Sequence, residues 1–260
     1  MYTIITNKDA KGNKGAIVGI FFGTKVAPII EQLLKIPSSK RNQVKEITLD
    51  MANSMKLIVS KCFPKAIQVT DRFHVQKLAI QALQDIRIKY RWKAIDYVNN
   101  QIKLSKTKEL VYNDKEYING DSTRQLLSRS RFLLYKSPNN WTRTQKERAH
   151  ILFKEYPDIK KAYDLVQGLR NIYNHDYQIQ VAYTKLAQWF RMVEESGFKS
   201  FNIVVNSISS NYKSILNYFV NRSTNVSAES FNAKIKAFRA QFRGVRNIKY
   251  FLYRLTRIFA

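Results

Sequence analysis

Glu229 is the only acidic residue between Ser196 and Ala260, a stretch of 65 residues that carries eleven lysines and arginines. It sits in Ser227-Ala228-Glu229-Ser230-Phe231-Asn232-Ala233-Lys234-Ile235-Lys236, where a serine or asparagine cap followed by apolar spacing predicts a helix start. If that helix runs to Phe242, then Phe231, Ile235, Phe238 and Phe242 step by four, three and four along one buried face. Glu229, Asn232, Lys236, Arg239 and Arg243 line the other side, and Arg246 joins them if the helix continues through Gly244. One carboxylate heading a row of cations suits an acid that holds a metal ion at a phosphodiester while the row holds the polyanion. The alternative is an ion pair between Glu229 and a neighbouring lysine on a solvated helix. Taken alone, this segment favours the ion pair.

Two more acids lie where strands are expected to end. Asp50 follows a β-rich run, Val44 to Leu49, at a hand-over to a helix, the position where open α/β sheets place their sites. Capping that helix would equally account for it. Asp71 closes a second short run, Ala66 to Thr70, and His74 follows three residues later. The two form either a hydrogen-bonded pair that shapes a loop or part of a catalytic cluster. In Lys89-Tyr90-Arg91-Trp92-Lys93 the alternation of aromatic and basic residues suits base stacking or a helix interface. Lys89 and Arg91 are read as phosphate contacts and Trp92 as an interface residue.

These residues must be positioned by the elements around them. Tyr2 to Thr6 and Ala16 to Phe22 read as a hairpin joined through an Asn-, Asp- and Gly-containing loop. Helices are expected over Val26 to Leu34 and Met51 to Phe63, so strand and helix alternate through the first 70 residues, the pattern of an α/β layer. From His74 the period becomes helical past Trp92 toward Ile102. After a polar stretch, Ser105 to Asp121, helices are expected at Thr123 to Leu134, at a capping box Thr144-Gln145-Lys146-Glu147, after Pro157, and at Tyr183 to Glu195.

With 45 Lys and Arg against 19 Asp and Glu, the formal charge is +26, spread from end to end, which points to a polyanionic partner. Hydrophobic residues make up 45% of 260, enough for a folded core. One cysteine, Cys62, and three scattered histidines exclude an internal disulfide and argue against a structural zinc site. The longest apolar run, Ala16 to Gly23, is too short to span a bilayer, and no signal-peptide pattern opens the chain, so a soluble intracellular protein is expected. There is no Gly-rich phosphate loop, nucleophile elbow or kinase signature.

Four blocks together resemble the DDE domain of bacterial insertion-sequence transposases of the ISL-three family. They are Ile47-Thr48-Leu49-Asp50-Met51-Ala52, Phe63-Pro64-Lys65-Ala66, Val69-Thr70-Asp71-Arg72-Phe73-His74-Val75 and Asn225 to Lys236, in family order and covering nearly the whole chain. The resemblance implies an α/β fold with a ribonuclease-H-like core: a first part over residues 1–85, a helical insertion over 86–200 and C-terminal core helices over 201–260. It implies Asp50 and Glu229 as catalytic, metal-binding carboxylates for two magnesium ions, with Asp71, His74 and Asn232 as supporting residues. Lys236, Arg239, Arg243, Arg246, Lys89 and Arg91 would hold DNA at transposon ends. The family's first aspartate lies on a strand that would precede Tyr2, so the resemblance also implies a truncated or split, catalytically impaired chain. Such a chain would act in the bacterial cytoplasm at the nucleoid, self-associate or join full-length transposase, or bind DNA without catalysis.

Overall fold

The computed structural model describes residues 2–242 and 246–260. The chain divides into two compact units, one made of residues 1–71 and 213–260, the other of 72–212.

The first unit opens with an antiparallel pair, β1 (Tyr2–Thr6) and β2 (Ile17–Phe22), in register from Tyr2 opposite Phe22 to Ile5 opposite Gly19. β-branched and aromatic residues dominate both strands, as a pleated half-buried surface favours. Helices α1 (Val26–Leu34) and α2 (Ser38–Arg41) lead to β3 (Glu46–Leu49), α3 (Asn53–Cys62) and β4 (Ile67–Thr70). Strands β3 and β4 are parallel, with Leu49 opposite Thr70, and α3 is the crossover between them. Ile29 and Leu33 of α1 pack with Ile58, Val59 and Cys62 of α3 into a core that Ile5, Phe21 and Ile47 partly cover. Each helix thereby buries the one apolar stripe its spacing creates. Among the described residues the unit holds two two-stranded sheets, so the fold is α/β, mostly helical with small sheets.

The second unit is helical. It begins with α4 (Arg72–Thr107) and continues through α5 (Thr123–Arg129), α6 (Arg143–Glu155), α7 (Pro157–Asn174), α8 (Ile179–Ser196) and α9 (Lys199–Ser210). Proline heads α7 and left-handed Gly197 ends α8, each where its backbone preference fits. Trp189, 1% exposed, donates its indole N–H to the Leu165 carbonyl at 2.8 Å and fixes α8 on α7.

Several expectations shift in detail. The long helix reaches Thr107, beyond Ile102. The helix expected over Thr123 to Leu134 stops at Arg129 and gives way to a 3-10 turn at Leu133–Tyr135. The capping box before α6 is made by Thr142 with Gln145, two residues earlier than expected, because Thr142 holds the extended backbone that a cap needs. Trp92 is no interface residue: it is 56% exposed, with the Arg91 guanidinium 5.8 Å from its ring.

The chain re-enters the first unit through α10 (Tyr212–Leu216) and α11 (Tyr218–Asn221), then forms α12 (Val226–Gln241) and α13 (Ile248–Phe259). Phe231, 1% exposed, anchors α12 in a second core with Ala16 and Ile17 of the hairpin and Leu255 of α13.

Candidate functional site

The parallel register fixes the first part of the site. Because Leu49 pairs with Thr70, Asp50 and Asp71 leave adjacent strands side by side, about 5 Å apart at the backbone. The Asp71 amide donates to the Leu49 carbonyl at 3.1 Å and closes the ladder. Asp50 turns its Oδ1 back to accept the Ala52 amide at 2.9 Å, just ahead of α3. Asp71 is 2% exposed, and its Oδ2 accepts the Asn225 amide at 3.1 Å.

That last bond belongs to a run of contacts lacing the returning chain to β3 and β4. Ser214 and Thr70 share a hydroxyl hydrogen bond at 2.8 Å. Asn217 Nδ2 donates to the Gln68 carbonyl at 2.8 Å, and Asn221 Nδ2 donates to Glu46 Oε2 at 3.2 Å. Glu46 also receives Lys8 Nζ at 2.5 Å. Burial would push the Glu46 carboxyl up, but Lys8, Ser223 and Asn221 together hold it below its ordinary value. These bonds deliver α12 to the strand ends.

Asp71 and Glu229, 158 positions apart in sequence, thus bring carboxylate oxygens within 4.8 Å of each other. His74 lies one turn into α4, three residues beyond Asp71 in the chain. Asp71 is buried, His74 half-buried and Glu229 exposed. The two carboxylates offer the hard oxygen donors that magnesium or manganese takes, and the imidazole suits manganese or a supporting hydrogen bond. Asp50 stands outside this group. The sequence paired Asp50 with Glu229, whereas the geometry makes Asp71 the acid that meets Glu229.

The cationic row is shorter than the periodicity implied. Glu229, Asn232, Lys236 and Arg239 are exposed on α12, and the Arg239 guanidinium lies 5.1 Å from the Phe251 ring. Arg243 lies outside the described residues. The helix ends at Gln241, so Arg246 sits beyond it, just before α13. In the helical unit Lys89 is exposed and Arg91 half-buried on α4.

Lys234 was missed by sequence reasoning. Its Nζ donates to the Gly12 carbonyl at 3.2 Å and pins α12 to the hairpin loop. Gly12 has φ +75, a backbone conformation that favours glycine over any residue with a side chain, and a Cβ there would press the Lys234 Nζ at 3.2 Å. The Gly12 in the loop was the available signal.

The family model for DDE transposases of the ISL-three type, described as a transposase, matches residues 1–255. The transposase for insertion sequence element IS1557 of Mycobacterium tuberculosis strain H37Rv is 24% identical over 170 residues, 64% of this chain and 34% of the relative. The transposase for insertion sequence element IS1001 of Bordetella parapertussis is 22% identical over 231 residues, 86% of this chain and 50% of the relative. The chain thus spans a third to a half of the length of these curated relatives. No solved structure matches. Among the described residues no helix is long and apolar enough to cross a membrane. The chain belongs to the ISL-three family of DDE insertion-sequence transposases.

Proposed function

We propose that this chain carries out DNA transposition on a ribonuclease-H-like core, cutting and joining phosphodiesters at insertion-sequence ends in the bacterial cytoplasm. The observation that carries the reading is the approach of Glu229, the lone acid of a cationic helix, to buried Asp71 at the end of a parallel strand. Asp71 and Glu229 would hold a divalent metal, with Asp50 on the neighbouring strand supplying a further carboxylate and His74 and Asn232 orienting the ligands. When bound, magnesium supplies charge neutralisation at the phosphoryl oxygens and a more acidic water or hydroxyl. The protein's own part is positional. The Asn225 amide and the closed strand ladder hold Asp71 in one orientation, so that its carboxylate need not reorganise during the reaction. Lys236 and Arg239, about two and three turns below Glu229, would hold the phosphates that flank the cut.

The test is magnesium-dependent nicking of the terminal repeats that flank this gene, assayed with the full chain and with Glu229→Gln and Asp71→Asn. Both variants should lose nicking while keeping affinity for the duplex. Both should also lose the rise in melting temperature that manganese gives the unaltered protein, a readout independent of turnover. An unaltered chain that binds duplex without nicking it, at any divalent metal, would overturn the catalytic reading and leave a DNA-binding protein.

A further inference from the structure

We propose that three arginines of the helical unit, Arg87 and Arg91 of α4 with Arg131 just past α5, form a site for one backbone phosphate of duplex DNA. This rests on the reading of DNA as the partner, and it adds two residues, Arg87 and Arg131, that sequence spacing did not single out. All three lie within residues 72–212. Gln84, Arg87 and Arg91 recur at intervals of three and four and so share a side of α4. Lys89, two residues from each arginine, falls on the opposite side.

The turn that carries Arg131 is tied down from α4 and from α7. Gln84 Nε2 donates to the Arg131 carbonyl at 3.2 Å, and Arg87 Nη1 donates to the Leu127 carbonyl at 2.8 Å. Further along the turn, Arg170 Nη2 donates to the Tyr135 carbonyl at 2.9 Å and the Tyr163 hydroxyl to the Lys136 carbonyl at 2.8 Å. The backbone beside Arg131 is therefore ordered before any ligand arrives, which lowers the cost of binding one.

What the site lacks is a counter-ion. Arg87 is 5% exposed, and its Nε donates to Gln84 Oε1 at 2.7 Å, so its partners are neutral acceptors. Its Nη2 makes no hydrogen bond among the described residues. A buried guanidinium ordinarily sits against a carboxylate. Here burial, then the charges of Arg91 and Arg131, push the Arg87 group below its ordinary value, and only Tyr135 acts the other way. Among the described residues none of the three arginines forms an ion pair.

Arg91 is half-buried and Arg131 exposed, so an anion can reach both, with Arg87 behind them as a fixed charge. The Trp92 ring, 5.8 Å from the Arg91 guanidinium, and the Phe132 ring, 5.4 Å from that of Arg131, steady the two forks without engaging their in-plane N–H donors. A phosphate offers oxygens to two such forks at once. A lone phosphate meets this site only, whereas a duplex also meets the field of a unit with 24 Lys and Arg against 13 Asp and Glu. The strand is therefore the ligand the charge distribution favours.

The experiment measures affinity of the full chain for a paired duplex across a salt series. It compares the parent, the pair Arg91→Gln with Arg131→Gln, and a control pair, Arg143→Gln with Arg191→Gln. The control removes two exposed arginines that are already ion-paired, to Glu147 and Glu195. The first pair should lower the log–log slope by roughly 0.9, the value for one phosphate, and the control should leave it within about 0.3. The loss should be equal on a terminal-repeat duplex and on an unrelated one, because a phosphate contact carries no sequence information. Arg131→Gln alone, at an exposed side chain, should melt no lower than the parent and still flatten the slope. A slope unchanged by the first pair, or lowered as much by the control, would overturn the phosphate site and leave the DNA reading standing. A parent that binds no duplex would overturn the DNA reading beneath it. A rise in melting temperature with inorganic phosphate that needs Arg131, beside an unchanged slope, would assign the site to a free anion and overturn the strand.

Discussion

Asp121 shows how a single buried charge can organise a helical unit. It is 0% exposed, yet Arg129 reaches its Oδ1 at 2.5 Å, Arg148 its Oδ2 at 2.6 Å, and Asn119 donates at 2.8 Å. The loop before α5 is thereby tied to both α5 and α6. Burial pushes the Asp121 carboxyl up, but the bonds from Arg148 and Arg129 outweigh it and hold the group below its ordinary value. A carboxyl lowered in the folded state contributes stability that is present above the unfolded value, about 3.9, and is lost as pH falls through the lowered one. Asp121→Asn should therefore lower stability at neutral pH by about 3 kcal/mol, at the low end for a broken buried pair because Arg129 is half exposed. Urea unfolding at pH 7 and pH 3 checks this: the gap between variant and parent should narrow at the lower pH. Gly12 permits a second prediction at the same scale. Gly12→Ala places a Cβ at φ +75, and close to Lys234 and Phe231, so it should cost more than about 1 kcal/mol. The manganese-induced rise in melting temperature should fall with it, because the loop holds the helix that carries Glu229.

At the scale of elements, the strands β1 to β4 and the helices α1 and α3 were legible because each is short and strongly patterned, whereas the four residues of α2 (Ser38–Arg41) are too few to show a period and went unread. The span Val26–Leu34 follows directly from its apolar spacing and the glycine before it. What periodicity could not give is partnership. Nothing in the spacing of Thr70-Asp71 says that Ser214, Asn217 and Asn225 will hydrogen-bond along β4, since those bonds join segments some 150 positions apart. That lacing, and not the acid's place in a motif, decides that Asp71 meets Glu229. Helix α12 depends on it in turn, because only one of its sixteen residues, Phe231, is fully buried. Phe231→Ala should cost about 3–5 kcal/mol, as loss of a buried phenyl ring does, measured by thermal or denaturant unfolding. The magnesium-dependent nicking should fail in this variant at temperatures where circular dichroism still reports a helical protein. The second unit buries residues of its own, Leu165, Leu169 and Trp189 among them, so the helical signal is expected to outlast the loosening of α12.

Across the whole molecule, charge is the property that no single site explains. The helical unit carries a net +11, from 24 cations and 13 acids, and the remaining residues carry +15, from 21 cations and 6 acids. Neither unit alone holds the field, so a polyanion should meet cations in both. Duplex binding should then fall steeply with salt, because each lysine or arginine set on a phosphate releases a counterion and adds roughly 0.9 to the log–log slope. Replacing Lys236, Arg239, Arg243 and Arg246 with alanine should flatten the slope by at most about 3.6 and leave a clear remainder owed to the other cations. The measurement is affinity for one paired duplex across a salt series, for parent and four-fold variant. A slope unchanged by the four replacements would place the α12 row away from DNA. A slope reduced to near zero would confine binding to that row and leave the charge of the helical unit without a role in holding the duplex.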